Sequence, residues 1–337
     1  MWFLNKMLFG SFLALGTVIA ISSYSWMGMW MGLEINLLSF VPLISVSKNS
    51  YSSESALKYF VAQAAASTIL LLALVVLSSK SSFLMSKSDY AMTILNTSLL
   101  LKMGAAPLHF WFPEVMEGLS WINVMILLTW QKIAPMVLLI YTNKTLLLMF
   151  SVIISCMLIS GIMGQNHLSL RKIMAYSSIN HIGWMIAASL FMEIIWAIYF
   201  TIYTIINLNI VIMFKKLNIF YMKQLILSMS YEPLLKLFFI LNFLSLGGLP
   251  PFLGFFPKWL TIQILTENQF FLIAVIMIVA TLATLFFYMR VTFSTFTLSS
   301  NSLTYLYPHY ANKFFIMTAN LVTLASLILS TLAFNFM

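Results

Sequence analysis

Charge is what this 337-residue chain has least of: 8 acidic and 17 basic side chains make up 7% of it, while 62% is hydrophobic. A mean hydropathy of +0.99 lies far outside the profile of a water-soluble globular domain, and no soluble catalytic domain is visible. There is one cysteine, Cys156, set in an apolar run. A disulfide within the chain and a thiolate metal site are therefore both excluded. Of the four histidines, only His109 and His181 lie deep in apolar stretches, which leaves no set of facing pairs for a haem. Glycine (12) and proline (9) are sparse, so their clustering at two places carries information. The net charge of +9 would point to nucleic acid in a soluble protein. Here the basic residues lie mostly in short loops between apolar spans, where they set orientation, and no nucleic-acid role follows.

At about 20 apolar residues per crossing, spans are expected near 3–22, 24–46, 57–78, 90–118, 121–141, 145–165, 171–190, 193–214, 234–266, 270–296 and 313–335. The chain thus reads as an all-α polytopic membrane protein with about eleven transmembrane helices. Its N-terminal run lacks a small-residue cleavage site and reads as a first span, not a removable signal. Spans 90–118 and 234–266 are too long for one crossing and carry Gly/Pro clusters near 104–107 and 247–251, so both are expected to be discontinuous helices. Lys6, Lys48, Lys58, Arg171, Lys172, Lys215, Lys216, Lys223 and Lys313 fall on the N-terminal side, against Lys80, Lys87 and Lys144 opposite. That bias places the N-terminus in the positive-inside compartment.

Laying Pro107 on Pro251 exposes an internal repeat. GAAPLHFWFPEV and GLPPFLGFFPKW share a small residue, the aligned proline, an aromatic before a second proline six positions on, and a charge after it, Glu114 or Lys258. An odd separation of about five spans makes the two broken helices cross in opposite senses. The expected organisation is two inverted five-helix repeats, 1–141 and 145–296, followed by a transmembrane helix at 313–335, with sites at the helix breaks.

Ionisable groups at membrane depth are costly and mark function by default. Glu34, Lys102, Lys132 and Lys258 lie well inside spans, with His109 and His181 as weaker members. Glu34 is too deep to reach water from a helix end and needs a cation. Lys102 is its expected partner, because a carboxylate beside an ammonium keeps both charged. Pro107 deprives the carbonyl of Met103 of its helical donor and Gly104 lets the backbone open, so water collects next to Lys102. His109 lies beyond that break as a candidate relay. Pro135 frees the carbonyl of Gln131 beside Lys132 in the same way. The plainer readings are a structural ion pair for Glu34 and Lys102, an interfacial Lys258 beside Trp259, and satisfied core histidines. Glu54 with Lys58 and Glu232 with Lys236 read as ordinary interface charges, Glu114 and Glu117 as headgroup-facing, and the 24 methionines as packing.

The segments WMGLEINLLSFVP, LLLKMGAAPLHFWFPEV, LLTWQKIAPM, RKIMAYSSINHIGWM and LSLGGLPPFLGFFPKW, taken in this order from Met31 to Trp259, resemble the antiporter-like subunits of respiratory complex I. The resemblance implies that Glu34 and Lys102 are the paired groups of a proton channel, Lys132 a central connecting lysine and Lys258 the lysine of the second broken helix. It implies a truncated form lacking three N-terminal helices, in the mitochondrial inner membrane, with the N-terminus on the matrix side. Flavin (FMN), iron–sulfur clusters and ubiquinone would belong to partner subunits, with no cofactor or metal in this chain. Its own partners would be membrane-arm subunits, phospholipids, water and protons. Rivals are a free-standing cation/proton antiporter and a structural membrane-arm spacer.

Overall fold

The structure, a computed structural model, describes residues 2–45, 49–78, 86–142, 145–229 and 233–297. The expected span at 313–335 and Lys48, Lys80, Lys144, Glu232 and Lys313 lie outside the described residues, as does the side chain of Lys87. Among the described residues the regular structure is helical, and one isolated antiparallel bridge joins Ser169 and Tyr221.

Two compact units divide the chain, Met1–Cys156 and Met157–Met337. The first holds α1 (Trp2–Ser22), α2 (Trp26–Ile44), α3 (Ser50–Ser78), α4 (Ser86–Met103), α5 (Trp111–Gly118), α6 (Trp121–Leu128), α7 (Trp130–Tyr141) and the start of α8 (Leu146–Gly164). α2 begins where the Ser25 hydroxyl accepts from the Gly28 amide, an N-cap. Its Gly32 packs so closely on α1 that a Cβ there would fall on the backbone of Ala20. Small residues at that crossing do what apolar side chains cannot do against lipid, which is to let two backbones touch.

The second unit holds α9 (Leu170–Phe191), α10 (Glu193–Leu217), α11 (Met222–Met229), α12 (Pro233–Gly247), α13 (Phe255–Glu267) and α14 (Phe271–Thr297). α9 is buried on every face from Ile173 to Leu190 although it carries Ser177, Ser178, Asn180, His181 and Ser189. Its serine hydroxyls donate one turn back, to the carbonyls of Met174, Ala175 and Ile186 at 2.7 to 2.9 Å, so their polarity is satisfied within the helix.

Six helical stretches among the described residues are long and apolar enough to cross a membrane: Trp26–Ile44, Ser50–Ser78, Trp121–Tyr141, Leu146–Gly164, Glu193–Leu217 and Phe271–Phe296. Of the other five expected spans, 313–335 lies outside the described residues and 3–22 is represented by the shorter apolar stretch Lys6–Ser22. The two long spans are each split into halves, α4 with α5 and α12 with α13, and α9 carries too many polar groups to register as apolar. α3 also begins at Ser50, ahead of the expected 57, and the short α11 was not anticipated.

Both breaks follow one backbone recipe. α4 stops at Met103, where Gly104 turns left-handed (φ 74°), its amide bonds to the carbonyl of Leu101 at 3.1 Å, and the Ala105 amide reaches Leu100 at 3.0 Å. α12 stops at Gly247, where Gly248 (φ 75°) bonds to Ser245 at 2.9 Å and Leu249 to Leu244 at 3.3 Å. This is the Schellman termination, which satisfies two end carbonyls and needs a residue free of a Cβ penalty at the turn. Each helix therefore ends at its glycine, three residues ahead of Pro107 or Pro251, and proline is not what stops it.

Candidate functional site

In the first unit, the carbonyls released at the end of α4 find neutral donors. The Gln63 amide of α3 donates to Lys102 O at 3.1 Å, and the Trp111 indole of α5 to Leu101 O at 3.2 Å. Lys102, 5% exposed, lines a cavity of about 10 Å³, about the size of one water. Asn36, Tyr59, Gln63, Gln131 and Pro135 are among its other walls. Tyr59 OH donates to Gln131 Oε1 at 3.3 Å, and Gln131 Nε2 donates to Asn36 Oδ1 at 3.0 Å, so α2, α3 and α7 are tied into one polar network around the lysine. Lys132, on α7, is buried with its ammonium 5.8 Å from the centroid of Phe112.

No ion pair joins Glu34 to Lys102, whereas on the exposed surface Lys58 pairs with both Glu54 and Glu114. The reason lies in helical spacing. Leu33, Asn36 and Leu37 are one face of α2 and line the cavity, whereas Glu34 lies on the flank, with Oε1 buried and without a hydrogen-bond partner. Glu114 is also not merely headgroup-facing, since Lys58 reaches it at 2.9 Å and Glu54 at 3.0 Å. His109 is buried with Nδ1 3.2 Å from the Pro107 carbonyl, inside the break.

The second unit uses its lysine differently. Lys258 projects from α13 back to the end of α12, where its ammonium donates to Gly247 O at 2.9 Å and Leu246 O at 3.4 Å, over the ring of Trp184 at 5.8 Å. A cation at a helix C-terminus meets both the unpaired carbonyls and the negative end of the dipole. Lys258 is buried within the protein, though Trp259 beside it is exposed. One turn before Trp184 on α9, His181 Nδ1 lies 2.9 Å from Tyr199 OH, with the Tyr203 ring 5.0 Å from its own.

Tyr59, Gln63, Asn36 and Gln131 in the first unit and Tyr199, Tyr203 and Trp184 in the second were not anticipated. A signal existed for the tyrosines of α10, which are four residues apart and share a face, as do Tyr59 and Gln63 on α3. Replacing Lys258 with Met leaves the Gly247 and Leu246 carbonyls without their donor and is expected to destabilise the unit by about 1–3 kcal/mol. The check is the thermal midpoint of the purified protein, with Lys258→Arg retaining most of the wild-type value. Among the described residues no group of three or more His, Cys, Asp or Glu side chains is gathered as a metal site.

Comparison with known proteins places these features in context. Residues 23–284 match the family described as NADH:quinone oxidoreductase/Mrp antiporter, transmembrane. NADH-ubiquinone oxidoreductase chain 2 of Anopheles gambiae is 52% identical over 85% of this chain and 84% of its own length. The protein of the same description from Aedes aegypti is 46% identical over 95% of each. A chain of respiratory complex I from Thermus thermophilus, solved with bound aureothin, shares the fold with a TM-score of 0.87 at 22% identity, covering 97% of this chain and 79% of that one.

Proposed function

Because the chain belongs to the family of NADH-ubiquinone oxidoreductase chain 2, we propose that Lys102 is the group through which this antiporter-like subunit moves protons. The NADH:ubiquinone chemistry belongs to the complex, and FMN, iron–sulfur clusters and ubiquinone sit in partner subunits. The observation that carries this reading is a buried lysine lining a water-sized polar cavity at a helix break. A water there accepts or delivers a proton at Nζ, while Gln63, Gln131, Asn36 and Tyr59 hold the surrounding dipoles in place. A carboxylate and a lysine need not touch to influence each other, so a change in the separation of Glu34 and Lys102 alters proton affinity without a bond being broken. Moving one charge against about 100 mV requires about 2.3 kcal/mol, a size that such a change in separation can supply.

Lys132 is the next proton-handling group of the first unit, and His109 a relay at its break. In the second unit Lys258 and His181 are the corresponding pair. The recurrence of one termination geometry at Gly104 and Gly248 supports two inverted five-helix repeats, over 1–141 and 145–296, within about eleven transmembrane helices. The loop charges support an N-terminus on the matrix side of the mitochondrial inner membrane, and phospholipids and membrane-arm subunits as its surroundings.

A free-standing cation/proton antiporter is the second reading, since the matched family also takes in Mrp antiporters. NADH-driven proton movement by sealed vesicles holding the assembled complex separates the two. It is expected to proceed unchanged without sodium; an obligatory sodium requirement would assign the site to sodium exchange.

A further inference from the structure

The segment between α4 and α5 has no helical ladder to take its peptide groups, and at membrane depth there is no bulk water to take them either. The Ala106 peptide is fully buried in that segment, four residues past Lys102. Both of its polar atoms are held by consecutive residues of α8. Ser155 Oγ donates to Ala106 O at 2.8 Å, and the Ala106 amide donates to Cys156 Sγ at 3.2 Å. The thiol in turn faces the same carbonyl at 3.8 Å.

We propose that Ser155 and Cys156 are positioning residues, a clamp by which α8 sets the linker of the first break and, through it, the place of Lys102. This rests on Lys102 being the proton-handling group. One detail favours a clamp that works over one that only packs. Ser155 Oγ also lies 2.9 Å from the Val152 carbonyl of its own helix, and a hydroxyl has one proton for the two acceptors. It can release the linker and still be satisfied, so letting go leaves no orphaned hydroxyl in the membrane.

The test is made in the assembled complex, with protons moved per electron and the pH profile of proton movement as readouts. Ser155→Ala combined with Cys156→Ala is expected to assemble, to slow proton delivery about tenfold or more, because small misplacements of a transfer group are costly, and to shift the pH profile. Cys156→Ser, which keeps a donor and acceptor at that position, is expected to retain the wild-type ratio and profile. A double variant with wild-type ratio and profile overturns the proposal, and so does a Cys156→Ser variant as impaired as the double. Should the double variant fail to assemble, Ser155→Ala alone decides: it removes one oxygen and little volume, and an unchanged ratio and profile in it overturns the clamp. Lys102→Met in the same assay keeps the premise separate. An unchanged ratio there removes the role of Lys102 whatever the clamp variants do.

Discussion

Replacing Lys102 with Met is expected to leave the complex assembled and to lower the protons it moves per electron. Methionine matches the length and apolar stem of lysine, and the ammonium makes no ion pair that its loss would orphan, so packing around α4 changes little. The polar network of Tyr59, Gln131 and Asn36 is complete without it, and Gln63 bonds the Lys102 carbonyl, which any residue supplies. What disappears is a titratable group beside a water-sized cavity. Losing a positioned proton-transfer group typically slows the step about 10²-fold or more, and with it the passage of protons through this subunit. Proton-to-electron stoichiometry in sealed vesicles, alongside native electrophoresis for assembly, measures both halves of the expectation. An unchanged ratio in an intact complex removes Lys102 from the path. Loss of assembly with an unchanged ratio in the surviving fraction makes the buried charge structural.

The largest effect on stability is expected from Gly254→Ala. A Cβ at that position would coincide with the carbonyl oxygen of Ser245, a backbone atom of α12 that cannot rotate aside. The start of α13 would have to move away from the end of α12, which draws Lys258 off the Gly247 carbonyl it caps. Overpacking of this kind costs about 1–3 kcal/mol, and stretching the cap adds to it. The variant should unfold at a lower temperature than the wild type and yield less assembled complex. Gly10→Ala is the matched control, because nothing lies within 4 Å of a Cβ there and alanine is the better helix former. Equal stability of the two variants would show that the α12–α13 crossing tolerates separation.

The two breaks were legible in the sequence because glycine and proline leave few backbone choices, and in an apolar run their clustering has few other uses. The positions of Lys102, Lys132 and Lys258 were legible for a related reason: a charge is rare enough at membrane depth to stand out. Their surroundings were not. Asn36, Gln63 and Gln131 are neutral residues of a kind that packs anywhere, and only the assembled helices show that they face one cavity. The pairing of Glu34 with Lys102 was inferred from opposite charge, but contact depends on which way each helix is turned, and α2 turns Asn36 toward the site instead. Lys258 was read from its proline neighbour and its role as a cap for α12 was missed, since a bond between residues 11 positions apart across a break leaves no periodic trace. α9 illustrates the opposite case. The expected span at 171–190 is there, but nothing in the sequence showed that its serines, asparagine and histidine are tolerable because the helix is buried on every face.

Native electrophoresis of gently solubilised membranes, with the band that carries this chain stained for NADH oxidation, tests most directly whether it works as the proton-moving part of a redox assembly. Co-migration with a very large NADH-oxidising, quinone-reducing complex is the expected result. Migration alone or in a small oligomer without that activity, together with sodium-dependent proton exchange by the isolated chain in liposomes, would contradict it and make the chain an antiporter in its own right.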